Sequence, residues 1–409
     1  MRKQIPVESL QKGMYVIELD RPWLETPFVY QGFPIHTEVQ IKVLKKYCKT
    51  VYIETEKEYV LNSDTDIKRM KSAGPQAGNV AQTEFMGTTV YTNRLTVEEE
   101  MVNAEKILGE CVEAVNESFS RLHATGELDS VTAKEAVTGM TNSIERNADA
   151  MMLLYQIKKR GAYEFHRALD TSILMMTFAR FLQLTKEQLE LVGLAGMFLD
   201  IGKVKLPDEL LRKKELLKPA EYAIIKRHVA YSLDYINATP GIPEGLSDIV
   251  AQHHERQDGS GYPHGLRGEE ITMLAAMAGL VDTFSALTSA RPYAEQLSPS
   301  NALSYLYKQK GRFFPEALVE QFIQCIGIYP VGSVVEMNTG EVAIVIAQNL
   351  VRRLQPRVMI ILDRDRKPMR TQLILDLVKA PRATPEEAYK IRRTLPKDAL
   401  PINPEDFFI

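Results

Sequence analysis

The chain has 409 residues, of which 45% are hydrophobic, 25% charged and 8% aromatic, so it is long enough for two or three domains and too apolar for a disordered or fibrous protein. Its formal net charge of −3 argues against a general affinity for nucleic acid. No apolar run approaches the roughly 20 residues of a membrane span, no secretory apolar core follows Arg2 and Lys3, and the three cysteines form no disulfide or metal pattern, so a reduced cytoplasmic protein is expected.

The first 61 residues predict a small α+β domain. Strand-like runs at residues 14–19 and 51–54 flank a helical pattern over residues 38–47. From residue 62 to residue 95 the pattern gives way to polar sequence that carries glycine and proline, which predicts a flexible linker and the domain boundary.

Residues 96–327 predict an all-α domain, because apolar residues recur at helical spacing through most of this range. Thr96 and Glu99 have the spacing of a capping box and open a long amphipathic helix. Thr185 and Gln188 repeat that spacing and open a helix that is predicted to run to Gly202.

Residues 328–379 predict a short β appendage, with Thr339 and Gly340 as a hairpin turn between apolar runs. In the tail, residues 380–409, Thr384, Pro385 and Glu387 predict the start of a short helix. The appendage has a local surplus of basic residues, for which a solvated face is favoured over contact with nucleic acid or anionic lipid. These residues are Arg352, Arg353, Arg357, Arg364, Arg366, Lys367 and Arg370. The predicted fold class is therefore mainly α, with a small α+β domain ahead of the helices and a β appendage behind them.

Four of the seven histidines lie between residues 228 and 264. Outside that range, His36 and His123 are interpreted as ordinary structural or surface histidines. Adjacent His253 and His254 point about 100° apart on a helix, but at a helix end they can converge on one pocket.

These histidines stand within an ordered set of motifs. Asp200-Ile201-Gly202-Lys203 comes first, His253-His254-Glu255 is followed by the turn-forming stretch Asp258-Gly259-Ser260-Gly261-Tyr262-Pro263, and Asp282 comes later. The set resembles the HD-GYP family, metal-dependent phosphohydrolases that hydrolyse the bacterial messenger cyclic di-GMP. Residues 286–293 and 326–332 also fit this family, and residues 10–16 and 21–23 resemble the uncharacterised domain often fused ahead of it.

The resemblance implies a pair of metals, iron or manganese, bridged by a carboxylate at Asp200. Such a pair neutralises charge on the phosphodiester and activates the water that attacks it. One of the two implied ligand sets is complete in this sequence, with Asp200, His228, His253 and His254.

The other implied ligand set keeps only Asp200 and Asp282 of its four protein ligands. Leu199 replaces the histidine of the His-Asp pair, and Arg167 stands where an earlier histidine is expected, with His166 one position out of register. Neither a leucine side chain nor a guanidinium binds a metal ion. At most one metal per chain is therefore expected, or none, and Arg167 is a candidate to supply positive charge by pairing with Asp282 or with a ligand phosphate.

Further residues take candidate roles from the resemblance. Lys203 resembles the family lysine that supports the phosphate, although a lysine that satisfies helix-end carbonyls fits equally well. Gly261, Tyr262 and Pro263 form the loop credited in the family with contacts to diguanylate cyclase domains; Tyr262 either stacks on a guanine or fills the loop. Arg291 either meets substrate phosphate or serves the structure.

The favoured hypothesis is a cyclic di-GMP signalling protein with impaired or lost hydrolysis, which acts by binding the ligand or a partner. The alternative is an active cyclic di-GMP phosphodiesterase with a reduced metal site, in which Asp200 and Lys203 carry the catalysis. A phosphohydrolase of other nucleotides ranks last, because it too needs the His-Asp pair. Neither nucleic acid nor membrane is expected as a partner, and the sequence does not predict the oligomeric state.

Overall fold

The computed structural model describes residues 2–11, 14–20, 33–35, 38–54, 85–157, 163–213, 215, 217–289, 297–349 and 352–395. The chain divides into two compact units, Met1–Gln82 and Thr83–Ile409. Among the helices in the described ranges, none combines the length and the apolar composition that crossing a bilayer requires.

The first unit is a small antiparallel sheet with one helix, as the sequence predicts. Its sheet has the strand order β1-β4-β2-β3. Val16, Ile35, Leu44 and Val51 are fully buried between the sheet and the helix, so apolar side chains on one face of each element make the core. The elements are β1 (Arg2–Pro6), β2 (Tyr15–Leu19), β3 (Phe33–Pro34), α1 (Glu38–Tyr47) and β4 (Thr50–Glu54).

The predicted linker is wrong over residues 85–95, while residues 62–84 lie outside the described residues. Residues 85–95 pack against the helices of the second unit. The Gly87 N–H donates to the Leu182 carbonyl and the Tyr91 hydroxyl donates to the Leu184 carbonyl, both at 2.8 Å. Partly buried Phe85 adds apolar contact, so a segment of linker-like composition is held by bonds to a helix end that is distant in sequence.

The second unit is dominated by helices around one large apolar core. Both predicted capping boxes are present, at Thr96 with Glu99 and at Thr185 with Gln188. The helices are α2 (Val97–Thr125), α3 (Ser130–Arg146), α4 (Ala148–Ile157), α5 (Tyr163–Phe181), α6 (Lys186–Phe198), α7 (Asp208–Leu211), α8 (Pro219–Lys226), α9 (His228–Ala238), α10 (Leu246–Gln252), α11 (Met273–Thr288), α12 (Pro299–Lys308) and α13 (Glu316–Ile326).

Helix α6 ends earlier than the sequence predicts. It stops at Phe198 rather than at Gly202, and a 3-10 turn follows at Ile201–Lys205. The reason lies in a neighbouring helix, because the Gly202 N–H donates to the Ser232 hydroxyl of α9 at 2.9 Å instead of continuing the helix. Tertiary contact therefore sets the backbone next to Asp200.

The predicted β appendage is an antiparallel sheet with the strand order β8-β7-β6-β5-β9. Its strands are β5 (Val334–Met337), β6 (Val342–Ala347), β7 (Arg357–Leu362), β8 (Pro368–Asp376) and β9 (Ile391–Thr394). The predicted hairpin joins β5 to β6, with Gly340 at a φ of 102°. Alternate residues of β6 face opposite sides, with Ile344 in the helical core and Val345 in a separate apolar cluster, so the sheet packs against the helices.

The predicted helix at Thr384 is wrong within the described residues. The segment there is irregular, Tyr389 N–H donates to the Pro381 carbonyl, and β9 follows as an edge strand paired with β5. A single helical turn is costly to nucleate, whereas pairing with β5 satisfies the backbone along the whole strand. Residues 396–409 lie outside the described residues.

The basic residues of the appendage are partly paired with buried acids. The Glu336 carboxylate, 3% exposed, accepts from Arg366, Arg392 and Arg393 at 2.9–3.0 Å. These bonds tie β9 and the turn between β7 and β8 to β5, while the guanidinium groups of Arg392 and Arg393 stay largely in solvent. The solvated face that the sequence favours for the basic residues between 352 and 370 stays a prediction.

Candidate metal centre

Five side chains that the sequence places far apart meet at one end of the helical unit. Asp200 precedes the 3-10 turn after α6, His228 is the first residue of α9, and His253 and His254 directly follow α10. Asp282 lies in the middle of α11. All five therefore project from helix ends or from a buried helix rather than from mobile loops.

Two glycines allow these elements to approach closely. A Cβ atom at Gly202 would overlap the backbone of His228, and one at Gly279 of α11 would overlap the carbonyl of His253. A side chain at either position would force the helices apart. The spacing of the site thus depends on glycines that the sequence motifs only partly reveal.

Asp200, His228, His253 and His254 form a cluster that we call the histidine cage. Their ligand atoms all lie within 4.8 Å of one another. The His228 Nε2 is 3.3 Å from Asp200 Oδ1 and 3.2 Å from His254 Nε2. The His253 Nε2 is buried and has no hydrogen-bond partner among the described residues, which is unusual for a polar atom in a protein interior. These atoms converge as ligands of one cation would.

Backbone carbonyls orient two of the three imidazoles. The His228 Nδ1 lies 2.8 Å from the Ile225 carbonyl, and the His253 Nδ1 lies 2.7 Å from the Val250 carbonyl. A carbonyl only accepts, so each Nδ1 carries the proton and each Nε2 keeps its lone pair toward the cage. This is the outer hydrogen-bond pattern usual for metal-binding histidines.

The environment keeps the imidazoles neutral. Burial lowers the pKa of His228 to about 4, although Asp200 opposes the shift. Burial also lowers the pKa of His253, and burial together with the two neighbouring imidazoles holds the pKa of His254 well below its usual value. At neutral pH all three are therefore in the deprotonated form that binds metal.

A guanidinium lies on the other side of Asp200. Arg167 Nη2 is 2.5 Å from Asp282 Oδ1, and Arg167 Nε is 3.4 Å from Asp200 Oδ2. The Lys203 ammonium donates to the same Asp200 oxygen at 2.6 Å. The pairing of Arg167 with Asp282 that the sequence raised is confirmed, and we call Arg167, Asp282 and Leu199 the arginine side of the centre.

The two carboxylates are ionised because of these cations. Burial alone would raise the pKa of Asp200, but Lys203 and Arg167 outweigh it and hold that pKa well below the usual range. Burial and Arg167 act in the same opposed way on Asp282, whose pKa is also lowered. Leu199 is 2% exposed within the apolar core and offers no ligand atom. The side chain of His166 lies outside the described residues.

The loop after the histidines is bonded to them. Glu255 accepts hydrogen bonds from the backbone N–H groups of His264, Gly265 and Leu266, at 2.7 to 3.2 Å. These bonds bring Tyr262 over the cage, where its ring stacks on that of His254 with centroids 4.5 Å apart and planes 26° apart. Gly261 and Pro263 flank Tyr262 in the same loop, and Arg291 lies outside the described residues.

Sequence reasoning missed three neighbours of the cage. The Arg256 guanidinium donates to the carbonyls of His253 and Glu255, at 3.0 and 2.7 Å. The Lys226 ammonium lies over the rings of Tyr222 and Tyr262. The spacing of Tyr222 and Lys226 by four residues just before His228 was the available signal, because it places a ring and a cation on the same side of a helix.

The histidine cage and the arginine side differ in how well their donor atoms fit a metal ion. Three neutral imidazoles, one with a buried unpartnered nitrogen, and one ionised carboxylate fit a single divalent metal such as iron or manganese. The arginine side does not fit a metal, because a guanidinium already contacts both carboxylates and Leu199 has no donor atom.

Comparison with known proteins shows which domains and relatives this chain resembles. A model of the HD domain matches residues 132–317, and a model of the domain of unknown function DUF3391 matches residues 2–133, which extends well beyond the predicted 61-residue domain. A protein of Pseudomonas aeruginosa named cyclic di-GMP phosphodiesterase PA4108 is 29% identical over 93% of this chain and 90% of its own length.

Two further similarities are partial. The cyclic di-GMP phosphodiesterase response regulator RpfG of Xanthomonas campestris is 37% identical over 36% of this chain and 39% of its own length. Among solved structures, Bd1817, an HDG"Y"P protein from Bdellovibrio bacteriovorus, covers 79% of this chain and 98% of its own at 19% identity, with a TM-score of 0.46. The chain therefore carries an HD domain with a DUF3391 domain ahead of it, and it is similar to proteins named cyclic di-GMP phosphodiesterases.

Proposed function

We propose that this protein is a cyclic di-GMP signalling protein that binds its ligand at a centre with at most one metal and hydrolyses it poorly or not at all. The observation that carries the proposal is the Arg167 guanidinium, which contacts Asp282 at 2.5 Å and Asp200 at 3.4 Å. A second divalent cation on that side would have to displace a guanidinium from an ionised, buried carboxylate.

The histidine cage would hold the metal through Asp200, His228, His253 and His254. A metal bound there would supply Lewis acidity to a phosphodiester oxygen. Lys203 and Arg167 lie against Asp200 and would add positive charge for the ligand's phosphates.

Impaired hydrolysis follows from the chemistry that phosphodiester cleavage requires. Two-metal centres stabilise both the attacking and the leaving oxygen, and removing one element of such stabilisation typically costs about a hundredfold to a thousandfold in rate. Arg167 replaces the charge of a second cation but supplies no activated water.

The loop of Gly261, Tyr262 and Pro263 is proposed as a contact for a protein partner, with diguanylate cyclase domains as the candidates that the family resemblance suggests. Exposed Pro263 and the bonds from Glu255 support this assignment, because a loop held rigidly loses little entropy on binding. Arg291 keeps its proposed role as a residue that meets the ligand's phosphate.

The second candidate function is an active phosphodiesterase with a reduced metal site. Two observations favour it: the complete histidine cage with Lys203 beside it, and the similarity to the Pseudomonas protein over almost the whole chain.

One set of measurements decides between the candidates. Purified protein is loaded with manganese or iron, its metal content is determined, and cyclic di-GMP is followed for binding by calorimetry and for turnover by chromatography. We expect at most one metal per chain, measurable binding and little product. Two metals per chain, or rapid turnover, would contradict the proposal; binding of neither metal nor dinucleotide would leave only the partner-binding role of the loop.

A further inference from the structure

Helix α8 is unusual among the helices around the cage because it has no buried residue. Tyr222 and Ile224, two of its apolar side chains, are 43% and 38% exposed. The helix ends at Lys226, two residues before the cage residue His228. Apolar side chains that lie in solvent beside a functional centre often contact a ligand rather than the core.

The Tyr222 ring is joined to the cage by a series of ring contacts. It meets the Tyr262 ring edge to face, with centroids 6.3 Å apart and planes 82° apart. Tyr262 in turn stacks on His254 at 4.5 Å. Tyr222 is therefore the outermost ring of a row that begins at a proposed metal ligand and ends in solvent.

Lys226 holds the two outer rings together. Its ammonium lies 4.9 Å from the centroid of Tyr222 and 5.1 Å from that of Tyr262. A cation over two ring faces restricts both rings, so the row is arranged before any ligand arrives. The same ammonium places positive charge close to the outermost ring.

We propose that Tyr222 is a stacking platform for one guanine base of a cyclic dinucleotide whose phosphodiester lies at the histidine cage, and that Lys226 is a positioning residue for this platform. The inference deepens the proposed function and rests on it. A nucleobase offers a large flat face, and stacking on an exposed tyrosine is a common means of binding a base without a buried pocket.

The cations near Tyr222 favour a nucleobase, rather than an apolar segment of a partner protein, as the group that contacts this ring. A base that stacks on Tyr222 belongs to the same molecule as the phosphates, and those phosphates meet Lys203 and Arg167 at the cage and Lys226 beside the ring. An apolar peptide would offer no anionic group to the Lys226 ammonium beside the ring. A protein partner is therefore treated as a competing outcome of the test.

The test compares cyclic di-GMP with cyclic di-UMP, which has the same phosphodiester ring and smaller bases. Binding is measured by calorimetry on the full chain loaded with Mn²⁺, for the unmodified protein, Tyr222→Leu, Tyr222→Phe and Lys226→Met. We expect Tyr222→Leu to weaken cyclic di-GMP binding about tenfold, to lower the preference for cyclic di-GMP over cyclic di-UMP, and to leave Mn²⁺ binding unchanged. Tyr222→Phe keeps the ring and should bind cyclic di-GMP as the unmodified protein does. Lys226→Met should bind cyclic di-GMP about twofold to fivefold more weakly.

The control is Tyr235→Leu, which removes a partly buried ring that pairs with Lys205 at 4.4 Å in the same kind of contact. It should leave the preference between the two dinucleotides unchanged. The platform is overturned if Tyr222→Leu binds cyclic di-GMP as the unmodified protein does, if both dinucleotides weaken equally, or if Mn²⁺ binding is lost. If the unmodified protein binds neither dinucleotide, the proposed function fails first, and the platform fails with it.

Discussion

The histidine cage and the arginine side both contact Asp200, but different groups face its carboxylate on the two sides. On the cage side, the ligand atoms of three neutral imidazoles converge with Asp200, and the buried His253 Nε2 has no hydrogen-bond partner among the described residues. On the arginine side, Arg167 contacts both Asp200 and Asp282. One side therefore has donor atoms ready for an external cation, whereas the other contains a cation that belongs to the chain.

The comparison shows that one carboxylate, Asp200, can face neutral metal-binding donors on one side and a guanidinium on the other. Buried carboxylates need positive charge nearby, and a guanidinium supplies it permanently, independent of metal supply. The following experiments examine this difference, from the largest expected effect to the smallest.

Placing histidines at the two positions where the resemblance implies them should allow the arginine side to bind a metal, as the histidine cage is proposed to do. In the double variant Leu199→His, Arg167→His we expect a second metal per chain and at least a hundredfold faster hydrolysis of cyclic di-GMP, because each metal stabilises a separate oxygen of the reaction. Metal analysis and product chromatography provide the readout. Leu199→His alone is the control, since Arg167 remains on Asp282. Equal rates in the unmodified protein and the double variant would refute the idea that the arginine side limits catalysis.

Removing one imidazole should disable the cage alone. His253→Ala deletes the buried nitrogen that lacks a protein partner, and we expect Mn²⁺ affinity to fall by more than about a hundredfold, since even changes outside the ligand shell cost tenfold to a hundredfold. Competition with a fluorescent chelator measures the affinity. His123→Ala, at an exposed position of α2, serves as the control. Unchanged affinity in His253→Ala would show that the metal binds elsewhere.

Removing the guanidinium should affect the arginine side alone. Arg167→Ala leaves Asp200 and Asp282 facing each other, and we expect a loss of about 3 kcal/mol in the free energy of unfolding, measured with urea. Added Mn²⁺ should recover part of this loss, because the carboxylates then need another cation. Arg121→Ala breaks an ion pair with a 57% exposed arginine and should cost under about 1 kcal/mol. A loss in Arg167→Ala as small as that of the control would mean that the guanidinium is not needed.

Acid should release metal from the cage only well below neutrality. Because burial lowers the pKa of His228 to about 4 and lowers those of His253 and His254, protons displace the metal only as the pH falls toward about 4. We expect Mn²⁺ affinity to change little between pH 7.5 and pH 6 and to drop below about pH 5. If the imidazoles had ordinary pKa values near 6.5, the Mn²⁺ affinity would already fall by more than about tenfold between pH 7.5 and pH 6. Such a fall would contradict the argument that burial lowers these pKa values. Arg167 stays charged throughout.

Much of the centre was predictable because its motifs are local. His253, His254 and Glu255 are adjacent, and the turn with Gly261 follows at once, so their spacing carries the chemistry directly. The capping boxes at Thr96 and Thr185 are local for the same reason. The leucine at position 199, where the resemblance implies a histidine, is equally visible, since it requires only the identity of the residue beside Asp200.

The errors arose where distant contacts outweigh local preference. The segment at Thr384 has the pattern of a helix start, but β9 pairs with β5 instead. The polar segment through Gly87 has linker-like composition, but it bonds to the carbonyl that ends α5. The motifs contain Tyr262 and His254 but not Tyr222, because the ring contact between Tyr222 and Tyr262 joins two elements 40 positions apart.

The amino-acid sequence alone determined the fold class and the four residues of the histidine cage, since these depend on residue types and short spacings. Only the tertiary structure decided between the two partners that the sequence raised for Arg167, Asp282 and a ligand phosphate: Arg167 lies against Asp282, 115 positions away in sequence, because α5 and α11 pack side by side. Charge compensation acts through space, and the order of residues along the chain does not reveal which cation will lie beside a buried carboxylate.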